Sequence, residues 1–255
     1  KKLHKIPKLA VVLVGADKPS KKYVERKEQS AKKIGVLFEL KKFKADITTK
    51  KLKNAILKIQ KDDSISGMII QLPLPKQINK TAILNAVKPE IDVDCLNSKN
   101  QLKLAHGQKT FIPPTPAAIL EILKSLKVKL KNKTITVIGA GVLVGKPMAK
   151  ILRQMGARVK VVKRKTKKIK QICLDSDIII SGVGKKNLVT RAMVHNHSIV
   201  IDAGISFVDK KLYGDVDWKE VSKTALYTTP TPGGVGPVTV SCLLKNVVEN
   251  TRQSN

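Results

Sequence analysis

The sequence predicts an α/β protein of two lobes, on three observations. Short apolar runs rich in Val and Ile alternate with segments whose apolar residues repeat at helical spacing, the pattern of buried parallel strands joined by helices. Residues 134–148, T-I-T-V-I-G-A-G-V-L-V-G-K-P-M, run from a β-branched strand through three glycines into a helix. F-I-P-P-T-P over 111–116 is a stiff break near the middle, in a chain whose 255 residues exceed a typical single core.

In the first lobe, Leu9 to Gly15 reads as a buried strand, and Asp17 to Ser20 as a turn with Ser20 as N-cap of a helix reaching about Ile34. Tyr23 and Lys27 stand four apart on that helix, so they share a face. Val36 to Phe43 is a second strand, Thr48 to Gln60 a helix with Leu52, Ala55, Ile56 and Ile59 on one side, and Ser66 to Leu72 a third strand. Pro73 and Pro75 stop that strand and leave Gln71 at its carboxyl end, the edge where open parallel sheets bind ligands. Asn79 to Val87 is a short helix. P-E-I-D-V-D-C-L-N over 89–97 then forms a loop with two carboxylates, Asp92 and Asp94, which show too few companion oxygens for a magnesium or calcium site. Pro116 to Leu126 reads as a helix at the junction of the lobes.

The second lobe opens with the glycine stretch. Thr134 to Ile138 is a buried strand and Met148 to Met155 continues the helix, so Gly139, Ala140, Gly141, Val144 and Gly145 lie on a strand-to-helix turn. There backbone N–H groups can approach a pyrophosphate seated on the positive end of the helix, which makes this a Rossmann-type dinucleotide-binding lobe. Arg158 to Val162 is the next strand. At its end, about 20 residues past the glycines, NAD-binding folds carry an acidic residue for the ribose. Here stand Lys163, Arg164, Lys165 and Thr166, which suit a 2′-phosphate and favour NADP, with NAD the alternative. Asp177 to Gly184 and Ser198 to Gly204 are two more buried strands. Their ends, with Gly182, Gly184 and Ile205, are expected on the nicotinamide side of the cofactor. His195 and His197 precede the last of these strands without a third ligand to make a metal site. T-P-T-P-G-G-V-G-P-V-T over 229–239, which includes Pro232, Gly233 and Gly234, reads as a ligand-facing loop before an apolar helix from Val240 to Val248. The lobes are expected over 1–115, completed by a C-terminal helix at 238–252, and over 116–237, with a cleft between them.

Composition narrows the function classes. Hydrophobic residues make up 42 %, and no apolar run approaches the about 20 residues that cross a bilayer, so no membrane partner is expected. Cys95, Cys173 and Cys242 are odd in number and scattered, which argues for reduced, buried thiols in a cytoplasm. The chain opens K-K-L-H-K without Met, and a segment in front is expected. The formal net charge is +31, with 44 of the 50 basic residues Lys, which raises the question of nucleic acid. Those lysines spread over nearly every helix and loop, Arg is scarce, and aromatics reach only 3 %, so a solvated surface fits better than a nucleic-acid interface.

Several segments together resemble the methylenetetrahydrofolate dehydrogenase/cyclohydrolases of one-carbon metabolism. They are V-G-A-D-K-P-S-K-K-Y-V-E-R-K (14–27), G-M-I-I-Q-L-P-L-P (67–75), P-E-I-D-V-D (89–94), V-G-K-P-M (144–148) and T-P-T-P-G-G-V-G-P-V-T (229–239). The resemblance implies that Lys27 is the catalytic lysine, Tyr23 its substrate-stacking partner, Gln71 the residue that orients the lysine, and Asp94 the carboxylate that holds the pterin, with Pro232, Gly233 and Gly234 also at the substrate. It implies a homodimer acting on tetrahydrofolate derivatives: dehydrogenation of the 5,10-methylene form, then hydrolysis of the 5,10-methenyl form, a step of purine biosynthesis.

Five departures from the family pattern stand out. The family's longer N-terminal segment is not in this sequence. Its G-R-S-x-x-V-G is here Gly139-Ala140-Gly141 before Val144-Gly145, so the arginine and serine near the NADP phosphate are gone, and its H-S pair is Lys163-Arg164. Cys95 stands for a glycine and Pro114 for a cysteine. Two rivals remain: a short-chain dehydrogenase, whose Y-x-x-x-K follows its cofactor glycines where this one precedes them, and a nucleic-acid-binding protein with an inactive dehydrogenase fold.

Overall fold

The computed structural model describes residues 5–15, 18–209 and 211–253, in two compact units. Unit 1 is Lys1–Pro114 with Val240–Asn255, and unit 2 is Thr115–Thr239.

In unit 1, β1 (Lys8–Val14), β2 (Leu37–Phe43) and β3 (Gly67–Ile70) form a parallel sheet in the order β2-β1-β3, with Val11 between Leu40 and Ile69. Side chains alternate across a strand, so the sheet sorts its residues by parity. Leu9, Val11, Leu13 and Ile69 pack with Val24 and Ala31 of α1 (Lys18–Lys33) and with Leu243, Leu244 and Val247 of the C-terminal helix. Ala10, Val12, Val14, Met68 and Ile70 pack on the other face with Leu52 and Ile56 of α2 (Thr49–Ile59) and Ile83 and Leu84 of α3 (Lys80–Leu84). Burial on both faces is why β1 reads as an unbroken apolar run. Ser20 is not an N-cap: α1 has begun by Lys18, and Pro19 is tolerated in a first turn because an N–H there has no intrahelical partner. Asp17 lies outside the described residues. The helix α4 (Ser98–Ala105) was not legible in the apolar pattern. Asn97 caps it, its side chain accepting from Lys99 N–H at 2.8 Å.

Unit 2 opens with α5 (Pro114–Ser125), which begins inside the expected stiff break, since prolines fit a first turn. The strands β4 (Thr134–Ile138), β5 (Arg158–Val162), β6 (Ile178–Ser181), β7 (Ile199–Asp202) and β10 (Tyr227–Thr228) form a parallel sheet in the order β10-β7-β6-β4-β5. Between them lie α6 (Gly145–Gln154), α7 (Ile169–Leu174), an antiparallel hairpin of β8 (Ser206–Val208) and β9 (Lys211–Tyr213), and α8 (Trp218–Val221). The last helix, α9 (Val235–Gln253), starts within the Pro- and Gly-rich stretch that reads as loop to residue 239, with Pro237 in its first turn.

Each sheet reverses its winding once. The chain goes from β1 to β2 on one side and returns to β3 on the other; it goes from β4 to β5 and returns to β6. Such reversals open a crevice at the carboxyl ends of the two central strands. Gln71 follows β3, and the glycines follow β4 and β6. No helix among the described residues is long and apolar enough to cross a membrane.

Candidate active site

In unit 1 the structure brings Lys27, Gln71 and Asp94 together. Lys27 Nζ donates to Gln71 Oε1 at 3.0 Å, and Gln71 Nε2 donates to the carbonyl of Leu72 at 2.8 Å. The second bond commits the amide NH₂, so the carbonyl oxygen is the atom left to face the lysine. Gln71 is itself placed by its N–H, which donates to Val12 O at 2.8 Å and extends the β1–β3 pairing by one step. Lys27 is half-buried. Burial pushes its pKa below the usual lysine range, and the nearby Asp94 carboxylate pulls in the opposite direction. Burial raises Asp94 in turn, opposed by the charge of Lys27. Tyr23, one turn before Lys27 on α1, is half-buried, and burial raises its phenol against the charge of Arg26.

Asp94 hangs from a loop braced on both sides. Met68 N–H donates to Ile91 O at 2.7 Å, which lays the loop along β3. The Asp92 carboxylate is turned to its own loop, accepting from Leu96 N–H at 3.1 Å, Asn97 N–H at 2.8 Å and Asn100 Nδ2 at 2.9 Å. Burial pushes its carboxyl up to about 7, while these donors pull it down. Asn246 of α9 donates through Nδ2 to Val93 O at 2.9 Å, between the two aspartates, and to Ile112 O at 3.0 Å. Sequence reasoning missed Asn246; its signal is a buried amide within an otherwise apolar helix face. Cys95 adopts φ 55, the left-handed conformation that favours glycine, and its thiol is pushed up to about 12 by burial and the two aspartates.

In unit 2, Gly139 has φ +102, and a Cβ on Gly145 would overlap the Gly139 carbonyl, so this turn admits no side chain at either position. A Cβ on Gly141 would meet nothing within 4 Å. α6 carries no side-chain cap at Val144. An uncapped helix start beside open space is what a pyrophosphate requires, so the residues fit a dinucleotide. Ala140 is half-buried beside Gly139 in this turn. At the end of β5, Lys163, Arg164 and Lys165 are exposed on a turn closed by Lys163 N–H to Thr166 Oγ1 and Thr166 N–H to Lys163 O, both 2.9 Å. Residues 163–168 at this strand end read K-R-K-T-K-K, without a carboxylate among them to repel a 2′-phosphate. Gly182 and Gly184 follow β6, and Ile205, exposed, follows β7. Pro232, Gly233 and Gly234 form a turn in unit 2, closed by Gly234 N–H to Pro230 O at 2.9 Å.

His195 and His197 close a local turn: His197 N–H approaches His195 Nδ1 at 3.2 Å, and His195 Nε2 lies 3.2 Å from Ser176 O. Among the described residues no group of three or more His, Cys, Asp or Glu is set to hold a metal ion.

Residues 1–94 match the tetrahydrofolate dehydrogenase/cyclohydrolase catalytic domain family, and residues 113–255 match the NAD(P)-binding domain of the same enzymes. The bifunctional protein FolD of Nautilia profundicola is 45 % identical over 244 residues, 95 % of this chain and 86 % of that protein. The crystal structure of the bifunctional FolD methylenetetrahydrofolate dehydrogenase/cyclohydrolase of Campylobacter jejuni superposes with a TM-score of 0.95 at 37 % identity, covering 98 % of this chain and 90 % of that one. That of Trypanosoma brucei FolD, complexed with NADP and an inhibitor, gives 0.94 at 34 % identity, covering 98 % and 88 %.

Proposed function

The chain belongs to the tetrahydrofolate dehydrogenase/cyclohydrolase family, and we propose that it oxidises 5,10-methylenetetrahydrofolate to the 5,10-methenyl form with NADP and hydrolyses that product to 10-formyltetrahydrofolate. The observation that carries this reading is the 3.0 Å bond between Lys27 and Gln71, beside Asp94.

For hydrolysis, Lys27 is the general base. Its lowered pKa favours a free amine, which takes a proton from water as the oxygen bonds to the methenyl carbon. The resulting ammonium returns a proton to N5 as the carbon–N5 bond breaks, and the hydroxyl proton leaves to solvent as the formyl carbonyl forms. Gln71 Oε1 strengthens its hold on Nζ as charge develops there. Asp94 holds the pterin by its polar edge, with Pro232, Gly233 and Gly234 as further substrate contacts, and the Tyr23 ring gives a stacking face. For dehydrogenation, NADP supplies the hydride acceptor. Gly139, Ala140, Gly141, Val144 and Gly145 form its pyrophosphate turn, Lys163 and Arg164 take the 2′-phosphate, and Gly182, Gly184 and Ile205 line the nicotinamide end. Residues 1–115 with the C-terminal helix are thus the folate lobe, and 116–237 the cofactor lobe.

We place the enzyme in the cytoplasm as a homodimer. Three buried cysteines, none of them in a disulfide, support a reducing compartment. Exposed Phe207 on the hairpin, Leu226 beside the edge strand β10 and Tyr227 within it support a partner surface on the cofactor lobe. Nucleic acid is not a partner in this account; salt-sensitive RNA or DNA binding without turnover would favour that rival.

The test is Lys27→Met, assayed for both reactions. Hydrolysis of the methenyl substrate is lost while NADP reduction persists and folding survives; unchanged hydrolysis removes Lys27 from the mechanism.

A further inference from the structure

Two buried carboxylates in unit 2 have no place in the chemistry described so far. Asp215 is fully buried, and its two oxygens accept four hydrogen bonds, all from the last residue of β6 and the loop that follows it: Oδ2 from Ser181 Oγ at 2.6 Å and Val183 N–H at 2.7 Å, Oδ1 from Gly184 N–H at 2.8 Å and Lys185 N–H at 2.7 Å. A carboxylate has about four acceptor directions, and here all are filled. Asp202, at the end of β7, stands behind it. Its oxygens accept from Gly204 N–H, Asp215 N–H and Val216 N–H, each at 3.0 Å. Gly204 and Gly214 have no room for a Cβ, which would overlap the carboxyl groups of Asp215 and Asp202 respectively.

The loop held in this way is the crevice edge after β6. Its Gly182 is wedged against the glycine turn: a Cβ there would lie 2.9 Å from Val144 Cγ1, and one on Gly139 would lie 3.0 Å from Gly182 O. Further along, a Cβ on Gly184 would lie 2.9 Å from Ile205 O. Asp202 therefore fixes the backbone of Asp215, Asp215 fixes residues 181–185, and these abut both Gly139 and Ile205. The carboxyl ends of β4, β6 and β7 are tied into one surface.

We propose that Asp215, backed by Asp202, is a positioning residue of the dehydrogenase, holding the loop 181–185 in the shape that receives the nicotinamide end of the cofactor. The inference rests on the assignment of Gly182, Gly184 and Ile205 to the cofactor. Because the loop's N–H groups are spent on Asp215, it meets a ligand with its shape and carbonyls. The hydrolytic step uses no redox cofactor, so the role separates the two activities.

Asp215→Asn keeps the size of the side chain but turns an NH₂ toward donors, leaving at least one loop N–H without an acceptor whichever way the amide sits. The KM for NADP is expected to rise about 10-fold or more, with hydrolysis of the methenyl substrate within about 2-fold of wild type. Equal losses in both activities, or unchanged NADP affinity in folded protein, overturn the proposal. Ser181→Ala removes one donor of the four and serves where Asp215→Asn does not fold; a rise of about 3-fold or more in KM for NADP with hydrolysis intact supports the role, and no rise overturns it. Amide hydrogen exchange of the wild-type enzyme separates the two assumptions. NADP slows exchange around residues 182–186 if the loop meets the cofactor; without that protection the assignment of the loop fails, whatever the variants do.

Discussion

Gln71→Leu removes the oxygen that faces Lys27 while keeping the side chain's bulk. In the ground state the lost bond joins a neutral amine to an amide and is worth about 1 kcal/mol; once the proton has moved, the same bond holds an ammonium and is worth about 2.5 kcal/mol. Only the difference, about 1.5 kcal/mol, slows the chemical step, so kcat for hydrolysis falls about tenfold. The bond from Nε2 to Leu72 O is lost as well. Together these cost about 1–2 kcal/mol of stability and lower Tm by about 2–8 °C, which leaves the protein folded at room temperature. Hydrolysis is followed by the loss of methenyl absorbance, with NADP reduction measured on the same preparation. Dehydrogenation needs no proton from Lys27 and falls less. A hydrolytic kcat within threefold of wild type, or equal loss of both activities, refutes the idea that Gln71 acts through the developing charge on Lys27.

Two further perturbations bear on the site. Asp94→Asn removes the negative charge that raises the pKa of Lys27; hydrolysis climbs with pH as Lys27 loses its proton, so the climbing limb of kcat moves to lower pH, and a limb that stays or moves upward contradicts the coupling. In the glycine turn, Gly145→Ala forces a methyl into the Gly139 carbonyl and abolishes NADP binding with a drop in Tm. Gly141→Ala, which points into open space, raises KM for NADP at unchanged Tm; the opposite ranking in thermal melts rejects this geometry.

The parallel strands were legible because both faces of each are buried, so their apolar runs are uninterrupted; β1, β4, β6 and β7 are of this kind. What escaped has little apolar content or local pattern. The helix α4 spells S-K-N-Q-L-K-L-A and depends on its Asn97 cap, the hairpin strands β8 and β9 have three residues each, and β10 has two. Prolines misled at α5 and α9, where they begin helices that the composition reads as loops. Within the site, Tyr23 and Lys27 follow from helical spacing and Gln71 from its strand end. The bracing of Asp94 by Asp92 and Asn246 does not: Asn246 meets Val93 from 153 residues away, a pairing set by packing of α9 on the sheet. Of the seven hydrogen bonds to Asp202 and Asp215, all but the local one from Gly204 N–H are likewise tertiary, although a carboxylate ending the apolar run I-V-I-D is an unusual sight in a buried strand and marks the place.

The most direct measurement of the central claim is an absorbance time course of the wild-type protein with 5,10-methylenetetrahydrofolate and NADP, repeated with NAD. NADPH is expected to form with a methenyl intermediate that decays to 10-formyltetrahydrofolate, and turnover with NAD is expected to be weaker. Folded protein that forms neither reduced cofactor nor methenyl product with either nucleotide would contradict it.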